Sequence, residues 1–269
     1  MAITTLDGAL AGMQPPRALA KAVSGTLVAG RPHTWWALGG SPGAGAYDST
    51  LNGAILTGNA VAGQIPRNDP AANAYLGRLS AAATQGGMLI LADRLWNNRP
   101  ANATGAQAIT SPTWPSRCLA SGGGFDTLGD GIQLGLEIST ASTAGTPTCP
   151  VTYTNQSNTG SRTANLLDAF TATTALGSFL RYDLQAGDTG VRSVQSFNAS
   201  GTLTSGVWNI VAYRIIAMLE LPGALLPNAI DALTAGFPRI ANGSVPFLIF
   251  VPNTTTGTML TGTYTETQG

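Results

Sequence analysis

The sequence predicts a mainly β protein: an antiparallel β-sandwich or jelly-roll-like body with an N-terminal arm and one or two short helices. Three observations carry that expectation. Short runs of alternating apolar and polar residues recur along most of the chain, the period of strands with one buried face. Gly, Pro, Asn and Thr separate these runs at the regular spacing of turns in sandwiches. Only 10% of the 269 residues are charged while 43% are hydrophobic, against roughly 25% charged in an ordinary globular protein. Thr, Ser, Gly and Asn stand where charges would, which leaves a weakly hydrated exterior that another protein readily covers.

Residues 1–63 read as a helix followed by an extended arm. Thr4 or Thr5 can cap the helix, Asp7 suits its first turn, and Leu6, Leu10 and Met13 share one face before Gln14-Pro15-Pro16 stops it. A helix this short is not stable alone, so it must dock on its own domain or on a neighbouring subunit. Thr26 to Gly39 is strand-like and carries Trp35 and Trp36 side by side. Successive strand residues face opposite ways, so one indole points away from the core, covered by a loop or arm of the same chain or by another subunit. Gly39 to Gly63 is an extended Gly- and Ser-rich loop.

The body, 64–269, opens with Tyr75 to Thr84 and Met88 to Trp96, which read as a hairpin around Gly86-Gly87. Asn97 to Asp130 has little periodicity, and a loop of that length is functional or covers a surface. Ile132 to Ser139 alternates cleanly as a half-buried antiparallel strand. Cys149 to Thr154 does the same, with Pro150 placing it at an edge or at a strand start. Phe179 to Leu184 and Val191 to Phe197 are strands around the turn 185–190. Val207 to Leu221 is the longest strand and is apolar on both faces, as a central or covered strand is. Pro227 to Gly236 reads as a short helix with Ile230 and Leu233 in its stripe. Val245 to Pro252 and Met259 to Thr267 close the chain as strands.

Charge and motif exclude several chemistries. Net charge is zero, the only lysine is Lys21, and the arginines form no run, so no footprint for nucleic acid exists. No stretch of about twenty apolar residues predicts a membrane helix, and the N-terminus lacks a signal-peptide pattern. Cys118 and Cys149 are expected as free thiols. His33 is the single histidine, and no G-x-S-x-G elbow accompanies it. Cys118, Cys149 and His33 make no zinc cluster, and Asp126 to Gly131 lacks the ligands of a calcium loop. Asp93, Glu137, Asp183, Asp188 and Glu220 show no paired spacing for glycoside hydrolysis. Asp93 with Arg94, and Asp188 with Arg192, read as local ion pairs. No catalytic residue, cofactor or metal ligand is therefore expected. Trp35, Trp36, Trp96, Trp114 and Trp208 leave a sugar-stacking surface as another reading.

Two phrases carry a resemblance. Leu184-Gln-Ala-Gly-Asp-Thr-Gly-Val-Arg192 is one. The other runs from Glu220-Leu-Pro through Pro227-Asn-Ala-Ile-Asp-Ala-Leu and Gly236-Phe-Pro-Arg to Val245-Pro-Phe-Leu248. Together they resemble structural proteins of tailed-bacteriophage virions, over most of the chain from Arg31-Pro32 onward. The resemblance implies a non-enzymatic particle component, assembled in the host bacterial cytoplasm and residing in the virion. A head decoration (cement) subunit is its first form; a tail, neck or baseplate component is the alternative. Expected partners are copies of itself, as a trimer or dimer homo-oligomer, and the major capsid protein, with no direct nucleic acid or membrane contact. Candidate inter-subunit contacts are Leu6, Leu10, Met13, Trp35, Trp36 and Trp114.

Overall fold

The structure is a computed structural model that describes residues 3, 5–23, 27–58, 61–68, 74–171 and 173–269. Thr4 as a cap, Thr26 as a strand start and the first two residues of the predicted helix lie outside them. The chain is mainly β, 48% strand and 2% helix, in antiparallel sheets. In chain order the elements are α1 (Leu6–Ala11), β1 (Arg17–Val23), β2 (His33–Thr34), β3 (Gly40–Ser41), β4 (Ala54–Ile55), β5 (Ala74–Ala83) and β6 (Gly87–Asn97). Then come β7 (Gly105–Ala108), β8 (Cys118–Leu119), β9 (Phe125–Asp126), β10 (Ile132–Thr140), β11 (Val151–Asn155), β12 (Arg162–Leu166) and β13 (Phe179–Asp183). The last are β14 (Val191–Ala199), β15 (Val207–Leu221), β16 (Asn228–Asp231), β17 (Arg239–Ile240), β18 (Pro246–Pro252) and β19 (Thr258–Gln268).

The chain divides into two units: Met1–Ala46, Thr57–Asp93 and Ile215–Gly269 form the first, Tyr47–Leu56 and Arg94–Arg214 the second. This division does not follow the predicted break at residue 63. Strand β1, inside the predicted arm, pairs with β19 over its whole length, from Arg17 opposite Tyr264 to Val23 opposite Thr258. The stretch is therefore part of a sheet rather than a free extension.

In the first unit, one sheet has the order β16-β5-β19-β1-β3, with β17 also on β5. It shares a core with β18 and the first-unit parts of β6 and β15. Leu19, Leu76, Leu79, Leu260 and Tyr264 from that sheet pack with Leu89, Leu91, Leu219, Leu221 and Phe250. Apolar faces meeting this way make a sandwich. The predicted hairpin of residues 75–96 is not one: β5 and β6 are consecutive yet lie in different sheets. A two-residue hairpin turn needs positive φ. Neither Gly86 nor Gly87 adopts it, so the chain crosses between sheets there.

In the second unit, β15, β10, β13, β12, β11, β14 and β7 pair in that order. One core draws residues from most of them, among them Ile132, Leu134, Leu136, Tyr153, Phe197, Trp208 and Ile210. The two-sided apolar pattern of β15 is explained here. Trp208, Ile210 and Ala212 enter that core, while Tyr213 on the other face meets Phe179 edge-on at 5.2 Å. Strand β11 begins directly after Pro150 and lies between β12 and β14, so the proline marks a start, not an edge. The predicted loop from Asn97 to Asp130 contains the short strands β7, β8 and β9.

The helix predicted at residues 227–236 is absent. Asn228–Asp231 pairs instead with β5, Ile230 opposite Leu79. A single turn follows, closed by Ala235 N–H on the Asp231 carbonyl at 2.9 Å. Positive φ at Gly236 and Phe237 ends it. Ile230 then packs against the core while Leu233 is left outside.

Candidate functional site

Among the predicted contact residues, the structure separates the tryptophans from the helix. Trp35, Trp36 and Trp114 are buried within their own units. Trp35 stacks on Phe250 at 5.4 Å, and Trp36 meets Phe247 edge-on at 6.1 Å. The Trp36 indole N–H donates to the Ala46 carbonyl at 2.9 Å. Trp114 packs against Trp96 at 5.7 Å and donates to the Val191 carbonyl at 2.7 Å. Cover by the chain's own loop is thus what Trp36 receives, and the rings have no free face for a subunit. Trp96 and Trp208 are equally buried, which removes the sugar-stacking surface.

Leu6, Leu10 and Met13 stand in a different place. Thr5 caps α1, its hydroxyl accepting from Gly8 N–H at 3.0 Å. Only Ala9 of the helix is buried. The segment is tied to the end of β19: Thr267 Oγ1 donates to the Ala9 carbonyl at 2.5 Å, Gln268 N–H to Gly12 at 3.0 Å, and Gln14 N–H to Glu266 at 2.8 Å. Met13 lies over Gly77, where any added Cβ would come within 2.9 Å of the sulfur.

This docking leaves an apolar groove. A hollow of about 400 Å³ is lined by Ile3, Thr5, Leu6, Tyr75, Leu233 and Phe237. A second, of about 190 Å³, lies between Leu6, Ala9, Leu10 and Met13 on the helix side and Gly77, Arg78, Leu233 and Phe237 on the sheet side. Tyr75 and Phe237 form the aromatic wall of the first hollow, edge to face at 6.4 Å. Leu6, Leu10 and Leu233 are 59%, 61% and 64% exposed. Residues Tyr75, Arg78, Leu233 and Phe237 were not legible as site residues. Leu233 read as the inner stripe of a helix that Phe237 extended, and Tyr75 and Arg78 as ordinary strand positions.

Strand β16 borders the groove at the edge of its sheet. Its edge is closed by its own side chains. Asn228 Oδ1 takes the Ala229 N–H at 2.8 Å, and Thr234 Oγ1 takes the Asp231 N–H at 3.0 Å. Such caps block strand addition, so the groove offers side-chain surface rather than a backbone ladder.

The carboxylates considered for catalysis are each engaged elsewhere or exposed. Asp93 accepts from Ser244 Oγ and Val245 N–H, both at 2.8 Å. Asp188 pairs with Arg162 at 2.8 Å, not with Arg192. Arg94 pairs with Glu137 at 2.7 Å. Asp183 and Glu220 are exposed on separate strands. Asp126 and Asp130 accept turn amides of Leu128 and Gly131. Among the described residues no group of three or more His, Cys, Asp or Glu side chains is placed to hold a metal ion. Cys118 and Cys149 are free and buried.

The chain matches no protein-family model and no curated protein. Among solved structures it aligns with the VP2 subviral particle of infectious bursal disease virus at 10% identity and a TM-score of 0.20, covering 96% of this chain and 81% of that one. The Gx strain structure of the same virus aligns at 11% identity and TM-score 0.20, covering 94% and 79%. Superpositions this loose define no common fold, and no functional conclusion rests on them.

Proposed function

We propose that this chain is a structural subunit of a virus particle, of the tailed-bacteriophage type, acting as a head decoration protein. The observation that carries the reading is the groove beside α1, where three leucines stand more than half exposed next to an apolar hollow of about 400 Å³. Monomeric proteins rarely leave such continuous apolar surface in water. The phrases at residues 184–192 and 220–248 support the particle setting. As a decoration subunit the chain would cover seams between coat subunits and stabilise them by burying apolar area, at roughly 25 cal/mol per Å².

The test is recovery of purified protein on coat shells that lack it, sedimented through a cushion. Saturable co-sedimentation at a fixed stoichiometry supports the reading. Protein that stays in the supernatant under all salt conditions, with shells intact, contradicts it.

A further inference from the structure

We infer that the groove beside α1 is a two-fold interface between copies of this chain. The inference rests on the structural-subunit reading and specifies its partner. A two-fold interface places the same patch on both sides, so the patch must complement itself. This one does. It carries protrusions, Leu6, Leu10 and Leu233, and beside them the hollow walled by Tyr75 and Phe237. Leucines of one copy can seat in the hollow of the other.

The rim charges fit the same arrangement. Asp7 projects from the first turn of α1, and Arg78 lines the sheet side of the groove. Both are exposed, and among the described residues no ion pair within 4 Å engages either, though the Arg78 charge also acts on Asp231. Asp231, opposite Arg78 on the neighbouring strand, is already held by Thr234 N–H and Oγ1 at 2.9 and 3.0 Å. A two-fold axis through the groove sets Asp7 of each copy against Arg78 of the other. The closed edge of β16 argues against an extended peptide as occupant, since strand addition is the main mode by which such a peptide binds.

Sedimentation velocity of the full chain across the micromolar range tests this. The wild type is expected at twice the chain mass. Leu6→Asp and Leu233→Asp, both at exposed positions, are expected to give a monomer with a native far-ultraviolet circular dichroism spectrum, and a thermal midpoint that no longer rises with protein concentration. Asp7→Arg or Arg78→Asp alone should weaken dimerisation about fivefold, because the rim pair occurs twice across the axis. The double variant D7R/R78D should restore it, a rescue no purely structural role predicts. A monomeric wild type, a trimer, or a dimer indifferent to both leucine variants overturns the inference. A monomer that still binds coat shells sinks the interface and leaves the particle role; a dimer that ignores shells does the reverse.

Discussion

Arg94 Nη1 lies 2.7 Å from Glu137 Oε2, and both side chains are completely buried. Tyr47 donates its hydroxyl to the other carboxylate oxygen at 3.0 Å, and burial, then the Glu137 charge, pushes the phenol well above its usual range. The pair ties a loop residue to two strands of the second unit. Replacing Glu137 removes the carboxylate that balances a completely buried guanidinium. Glu137→Ala is expected to cost about 3–5 kcal/mol, read from urea denaturation. The double variant R94M/E137L should recover most of that loss, because it removes both charges.

The turn that carries the first resemblance phrase is held by Asp188. Hydrogen bonds from Arg162, then Tyr153 and Asn155, bring its carboxyl down to about 2 from the ordinary 3.8. A carboxyl depressed on folding contributes stability that is present above its unfolded value and lost as pH falls toward the folded one. The wild type should therefore lose stability between about pH 4 and pH 2, and Asp188→Asn should flatten that part of the curve. Thermal midpoints measured across that range decide it. An unchanged slope in the variant would show that other carboxyls govern acid unfolding.

The two thiols should be silent in the folded protein. Burial pushes Cys118 up to about 11 and Cys149 to about 12, and only the thiolate reacts. Ellman titration at pH 8 should find no fast thiol in the native chain and both after denaturation. A fast-reacting thiol in the native state would contradict the packing of β8 or of the segment before β11.

Gly45 lies against Trp36 so closely that an added Cβ would sit 2.3 Å from the indole. Gly45→Ala must displace the ring or the loop. It is expected to cost about 1–3 kcal/mol, the usual penalty of overpacking, read as a lower thermal midpoint. A neutral variant would mean that the loop does not cover Trp36 in solution.

What could be read from the sequence follows the range of the forces involved. Strands β10 and β15 were legible nearly to the residue, because alternation is local and strong. The helix was legible but not its end: the sequence predicts a run to Met13 before Pro15 and Pro16, and it stops at Ala11 with Gly12 as its cap, because Met13 already bridges to Thr267. The segment at residues 227–236 was misread, since its conformation is decided by pairing with β5, distant in sequence. Positive φ at Leu225 and Phe237 has no signature in those residue types. The tryptophans looked available because nothing nearby in sequence reveals Phe247 or Phe250 as their cover. Half of the groove was visible as the apolar face of α1. The other half, Tyr75, Leu233 and Phe237, is assembled only by the fold. Asp188 found Arg162 instead of Arg192 because β12, not the following strand, passes the carboxylate.

Cryo-electron microscopy of virus particles from the lysate in which this chain is made tests the central claim most directly. The account predicts repeated copies on the outer head surface, each fitting these two units and paired through the face that holds Leu6 and Leu233. Particles whose mass spectra lack the chain, or whose density places it as a lone monomer with that face open to solvent, would contradict it.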